Sequence, residues 1–223
     1  DLMPHRVGLR PADAEFVEAI RDWATEHDVL LVLDEVITFR CEYGGLQEGY
    51  DIKPDLTALG KAIGGGFPVG ALAGRKEVMD VMNPCAGELL FPHSGTFSAN
   101  PITLTAGLTA MEKFDATAVA RLNALAMQAI DGIEEAIRAS GAKACVTGGG
   151  SLIRIHMKDQ PPRNFREAFL TPDENKKLKM LLDHLFEEGF LMINTCSAAL
   201  STPMTETEID ALVAAIKTGF KKL

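Results

Sequence analysis

Two side chains of complementary reactivity stand at the ends of two short apolar runs. Asp34 closes the run Val29-Leu30-Leu31-Val32-Leu33, and Lys61 follows Asp55-Leu56-Thr57-Ala58-Leu59-Gly60. A continuous branched run of this kind reads as a strand buried on both faces, as in a parallel sheet with helices above and below. Ligands of open α/β sheets bind at the carboxyl edge of the strands, so Asp34 and Lys61 are expected on one such edge. A lysine on a turn is ordinarily solvated. Lys61, however, lies between an apolar strand and the glycine-rich stretch Ala62-Ile63-Gly64-Gly65-Gly66-Phe67-Pro68-Val69-Gly70, and is expected to be partly withdrawn from water. A desolvated amine gives up its proton more readily, and only the neutral amine attacks a carbonyl.

That combination suits a Schiff-base lysine, and it gives Asp34 a task. A pyridoxal ring acts as an electron sink when its ring nitrogen carries a proton, and a carboxylate beside that nitrogen keeps the proton there. Asp34-Glu35 after an apolar strand also suits a magnesium-binding acid of a phosphate-loop ATPase. That reading needs G-x-x-x-x-G-K-[ST], whereas Gly60-Lys61 is followed by Ala62 and lacks the earlier glycine. A third stretch, Pro92-His93-Ser94-Gly95-Thr96-Phe97-Ser98-Ala99-Asn100-Pro101, offers hydroxyls and backbone amides ahead of a helix with Asn100 as N-cap and Pro101 in its first turn. Alone it is a helix cap. After the aspartate and the lysine it becomes a phosphate contact to the same cofactor.

In this order the segments Leu31-Val32-Leu33-Asp34-Glu35-Val36, Gly44-Gly45-Leu46-Gln47, Pro54–Lys61, Ile63–Ala71 and Gly95–Pro101 resemble the class III pyridoxal-phosphate-dependent aminotransferases. Within that family the sequence is similar to glutamate-1-semialdehyde aminomutase and the β-amino-acid aminotransferases. The resemblance implies the fold-type I α/β architecture, with residues 1–115 as the later part of the cofactor-binding large domain and 116–223 as a small C-terminal α+β domain. It implies that Lys61 carries pyridoxal 5′-phosphate as a Schiff base and moves the substrate proton, that Asp34 pairs with the ring nitrogen, and that Val36 packs on the ring. Thr96 would contact the phosphate of a cofactor held mainly by the neighbouring subunit, which makes a homodimer part of the site. Arg40, in Thr38-Phe39-Arg40, would meet a substrate carboxylate, or else be a surface arginine of a loop. Ala99 stands where the aminomutases have glycine. The implied reaction moves an amino group between an amino acid, β-amino acids included, and a keto acid. An aminomutase, and a cofactor-free interaction protein built on a decayed transferase, are the alternatives.

Family members also carry about half their length ahead of the matched region, including the loop that grips most of the phosphate and the aromatic residue that stacks on the ring. The expectation is therefore a chain whose N-terminal half is missing or supplied by another polypeptide. Such a chain should expose a sheet edge and apolar helix faces, and its 223 residues alone are expected neither to fold stably nor to transaminate.

Composition sets the wider frame. Apolar residues make up 47% and the formal net charge is −9, with no basic stripe to attract nucleic acid or an anionic membrane. No apolar run approaches the ~18 residues of a membrane span. Cys41, Cys85, Cys145 and Cys196 are widely spaced without a C-x-x-C pair, the pattern of reduced thiols in a cytoplasmic protein with no metal site.

The remaining elements follow from periodicity. An irregular segment, residues 1–10, leads to a helix opened by Pro11, whose Phe16, Ile20, Trp23 and His27 should face the sheet. Val69–Gly74 reads as a strand and Arg75–Met82 as a short helix. Long helices are expected from Pro101 to about Phe114 and over Ala116–Ser140. Strands Ala144–Val146 and Ser151–Met157 flank a turn at Thr147–Gly150; in the second, Ile153, Ile155 and Met157 should face the core and Arg154 and His156 a partly polar side. Thr171 and Thr205 open capping boxes with Glu174 and Glu208. A third strand is expected at Gly189–Asn194.

Overall fold

The structure, a computed structural model, describes residues 1–85 and 87–223. The chain divides into two compact units, one comprising Asp1–Leu2 with Ala12–Ala116 and the other Met3–Pro11 with Thr117–Leu223.

In the first unit, helix α1 (Ala14–Glu26) precedes strand β1 (Val32–Asp34). A short helix α2 (Leu46–Gly49) leads to β2 (Leu56–Gly60), which pairs parallel to β1 with Val32 opposite Leu56 and Asp34 opposite Ala58. Strand β3 (Gly70–Gly74) returns antiparallel to β2, so this three-stranded sheet is mixed. Helices α3 (Lys76–Met79) and α4 (Pro101–Lys113) complete the unit. Asp55, at the start of β2, ties three elements: its Oδ2 accepts from the Leu31 amide (2.7 Å) and Arg21 (2.8 Å), and its Oδ1 from Arg75 (2.7 Å). The Leu31 amide first, then Arg21, hold its carboxyl far below the usual carboxylate range.

Burial here departs from expectation. In β1 only Leu33 is buried, while Val29, Leu30 and Val32 are 44–52% exposed. α1 begins at Ala14, past Pro11, and seats Val17 and Ala24 inward. Its predicted stripe points away from the core: Phe16 and Trp23 are exposed, and Trp23 stacks on His27 at 4.4 Å between ring centroids. The periodicity is real, but among the described residues nothing covers that face.

The second unit begins with Met3–Pro11 and continues through α5, whose helix runs Ala116–Ser140. Strands β4 (Cys145–Gly149), β5 (Leu152–His156) and β6 (Ser197–Ala199) form an antiparallel sheet in that order. Helices α6 (Pro172–Glu187) and α7 (Glu206–Phe220) carry the two capping boxes the sequence predicts at Thr171 and Thr205. β4 extends through Gly149, leaving Gly150-Ser151 as the turn. The strand expected at Gly189–Asn194 is absent; β6 lies further on. At either end of that stretch the backbone is held in local turns, with Phe190 N–H donating to the Leu185 carbonyl and Cys196 N–H to that of Ile193.

β5 is buried on both faces, against the predicted polar side. The leading segment supplies the cover. Met3 and Leu9 are buried, Arg154 donates to the His5 carbonyl (2.6 Å), Thr147 Oγ1 donates to the Gly8 carbonyl, and His156 Nε2 lies 3.1 Å from that same oxygen. Burial, and then the charge of Arg154, push His156 down to about 4 despite its contact with Gly8. The folded chain thus holds this imidazole neutral, whereas the unfolded chain protonates it near the ordinary value of about 6.5. Its contribution is complete above that value and is lost as pH falls from there toward 4. Thermal unfolding measured across this window should show Tm falling with acidification, and a His156→Gln variant should show a flatter profile.

Candidate active site

The parallel register of β1 and β2 sets Asp34 beside Ala58, so Lys61, just past Gly60, emerges beyond the same strand ends. Asp34 is exposed, and its Oδ1 accepts the Val36 N–H at 3.0 Å, which fixes how the carboxylate leaves the strand. Val36 lies over Gly60, where an added Cβ would stand 3.4 Å from Val36 Cγ1. The structure therefore brings Asp34, Val36 and Lys61 to one edge. Lys61 adopts φ +48°, a left-handed conformation that costs a non-glycine residue about 1–2 kcal/mol and recurs at functional sites. Contrary to expectation its side chain is exposed, because the loop after it turns onto α4 and leaves the amine uncovered.

That loop and α4 meet backbone to backbone. A Cβ at Gly65 would lie 2.3 Å from the Ala106 carbonyl oxygen, and one at Gly107 would lie 2.2 Å from that of Ile63. Gly65 also has φ +58°. The position of Lys61 is thus set by α4, whose N-terminus is closed by Asn100 Oδ1 accepting from the Ile102 and Thr103 amides at 2.9 and 3.3 Å. Thr96 occupies the exposed turn just before that cap, and among the described residues it shares no hydrogen bond with Asp34 or Lys61. In the same turn Ala99 has φ +53°, the conformation glycine adopts without cost.

Arg40 sits in a 3-10 turn (Thr38–Cys41), half-buried, with its guanidinium carbon 5.8 Å from the centre of the Phe114 ring. Burial lowers its pKa from the ordinary guanidinium value. Beside it a recess of about 350 Å³ is lined by Phe39, Glu42, Tyr43, Ile63, Met111 and Phe114.

One residue escaped the sequence reading. Glu35, next to Asp34, is completely buried, and its carboxylate accepts from Thr38 Oγ1, the Leu46 amide (3.1 Å) and the Gln47 amide (2.7 Å). Gly45, at φ +84°, leaves room for it: a Cβ there would lie 3.1 Å from Glu35 Oε1. The signal was present as an acid preceding a Gly-Gly segment, but burial of the acid was not legible from either.

A carboxylate, an amine and an apolar side chain between them, all open at one sheet edge, fit a flat heteroaromatic aldehyde with a basic ring nitrogen. The chain belongs to the class III aminotransferase family: the family described as Aminotransferase class-III matches residues 4–218. Its fold is that of the pyridoxal-phosphate-dependent transaminases. An ω-transaminase from Sphaerobacter thermophilus is 40% identical with a TM-score of 0.95, covering 99% of this chain and 50% of its own. A β-phenylalanine aminotransferase from Variovorax paradoxus is 34% identical with a TM-score of 0.88, covering 95% and 49%. Glutamate-1-semialdehyde 2,1-aminomutase of Akkermansia muciniphila is 34% identical over 99% of this chain and 51% of its own length. The chain spans about half the length of the curated relatives it matches.

The contact between the lysine loop and α4 yields a test in which two effects oppose. Helix propensity alone favours Gly107→Ala by about 1 kcal/mol, whereas overpacking against Ile63 costs about 1–3 kcal/mol or more. The variant should unfold at lower denaturant concentration than wild type, and an increase in stability would show that the two backbones separate easily.

Proposed function

We propose that the whole protein of which this chain is part is a pyridoxal-phosphate-dependent aminotransferase, moving an amino group between an amino acid and a keto acid. The observation that supports this most directly is the convergence of Asp34 and Lys61 on one carboxyl edge across Val36. Pyridoxal 5′-phosphate, when bound, supplies an aldehyde for the amino group and a ring that accepts the electron pair released at the substrate carbon. Asp34 would hold a proton on the ring nitrogen, with the Val36 amide orienting the carboxylate at 3.0 Å. Lys61 Nζ would hold the group covalently and then carry the proton to and from the substrate carbon. Val36 would support the ring face, and the strained backbone at Lys61 would aim the amine. Thr96, on its exposed turn, would reach the phosphate in a neighbouring subunit, which makes the active assembly a homodimer.

Similarity to ω- and β-phenylalanine transaminases supports a substrate whose amino group need not be on the α carbon. Arg40 beside its apolar recess would meet the carboxylate of such a substrate. The aminomutase match favours a second reading, in which the amino group shifts within one molecule. Assays with separate donor and acceptor distinguish them, since only an aminotransferase turns over both. Joint presence of Asp34, Lys61 and Thr96 speaks against a decayed, cofactor-free protein. The exposed faces of α1 and β1 are the surfaces that the other half of the protein would cover. The free thiols of Cys85, Cys145 and Cys196 accord with a cytoplasmic setting.

The visible absorption spectrum of the full assembly with pyridoxal phosphate, recorded for wild type and Lys61→Ala, tests the assignment. Wild type should show a protein-bound visible band that Lys61→Ala lacks, and turnover should fall by at least about 10²–10⁴-fold. Identical spectra would make Lys61 a structural residue and favour the cofactor-free alternative.

A further inference from the structure

Asp34 ends β1 and Lys61 follows the end of β2, so their separation must be set by something other than themselves. Glu35 is the group placed to do it. Consecutive residues of a strand point to opposite faces, and here Asp34 is open at the edge while Glu35 is fully buried beneath it. A buried carboxylate needs a full set of donors, and all three of its partners donate: one hydroxyl and two backbone amides. The last of those amides belongs to Gln47, whose side chain continues the network. Gln47 Nε2 donates to the Gly44 carbonyl at 3.2 Å, and Gln47 Oε1 accepts from Thr57 Oγ1 at 3.0 Å. Thr57 is buried in β2, four residues before Lys61 and opposite Leu33 of β1. The sequence of contacts Glu35, Gln47, Thr57 thus runs from the residue beside Asp34 to the strand that delivers Lys61, independently of the ladder between them.

We propose that Glu35 is a positioning residue for the Asp34–Lys61 pair, acting through Gln47 and Thr57 to fix the separation of the two strand ends that receive the cofactor. The proposal rests on the function assigned above. Charge matters to it because each oxygen of Glu35 faces a backbone amide, Oε2 that of Leu46 and Oε1 that of Gln47. A carboxylate accepts from both, whereas the amide of Glu35→Gln turns its NH₂ toward one N–H or the other.

The test uses the full-length assembly carrying Glu35→Gln, Thr57→Val or Thr57→Ser. Pyridoxal phosphate is titrated into cofactor-stripped protein, and Tm and the pH midpoint of the visible band are measured alongside. Glu35→Gln should weaken cofactor affinity by about tenfold or more and move the midpoint, because the spacing of Asp34 from the ring governs how firmly the ring proton is held. Thr57→Val, which removes only the hydroxyl of the final link, should do the same to a smaller degree, and Thr57→Ser should restore wild-type values. A lower Tm with unchanged affinity and midpoint in both Glu35→Gln and Thr57→Val would reduce the network to a structural one and overturn the proposal. If Glu35→Gln does not accumulate as folded protein, the comparison of Thr57→Val with Thr57→Ser decides. A wild type that forms no visible band would overturn the assigned function and this proposal together; a normal wild type with unmoved variants overturns the proposal alone.

Discussion

The contact between the Lys61 loop and α4 constrains more of this molecule than any side chain does. Two backbones touch at Gly65 and Gly107 with no room for a Cβ on either. One of those glycines sits inside a helix, where it costs about 1 kcal/mol relative to alanine, so the helix gives up propensity for proximity. Everything placed on that edge inherits the arrangement. The loop that turns at Gly65 begins with Lys61, and α4 begins just after the turn that bears Thr96. Movement of α4 would therefore shift the amine directly, without passing through the sheet.

Against that fixed loop the two strands are adjusted by polar groups beneath the surface. Asp34 is oriented by a hydrogen bond two residues away, and Glu35 by bonds to residues eleven and twelve positions later. Asp55 binds the other end of β2 to α1 and to the segment entering β1. Short strands of three and five residues have little ladder of their own, and buried carboxylates supply the precision that length does not.

Much of this was legible in the sequence where the signal is local. Asp34 and Lys61 could be placed on one edge because apolar runs ending in a polar residue mark strand ends, and parallel pairing brings such ends together. The capping boxes at Thr171 and Thr205 were readable because each is a four-residue pattern. What failed depended on cover from elsewhere. Phe16, Ile20 and Trp23 keep a helical period but face outward, and Lys61 is open to solvent; periodicity says which residues share a face, not whether anything lies against it. Arg154 and His156 erred the other way, since the segment that buries them is far off in sequence. The run 189–194 has strand composition, yet its first two amides, those of Gly189 and Phe190, are spent closing the end of α6 on Phe186 and Leu185.

The placement of Met3–Pro11 with the second unit bears on how the chain comes into being. Gly8 and Thr147, which share a hydrogen bond, are 139 residues apart, so the first piece of that core leaves the ribosome well before its partners. At about 5–20 residues per second the interval is roughly 7–28 s. During that time Met3 and Leu9 wait for the strands of their own unit, while β1 and β2 can already pair. The order of synthesis thus favours assembly of the unit containing β1 and β2 first, with the leading segment held in reserve until β5 is made.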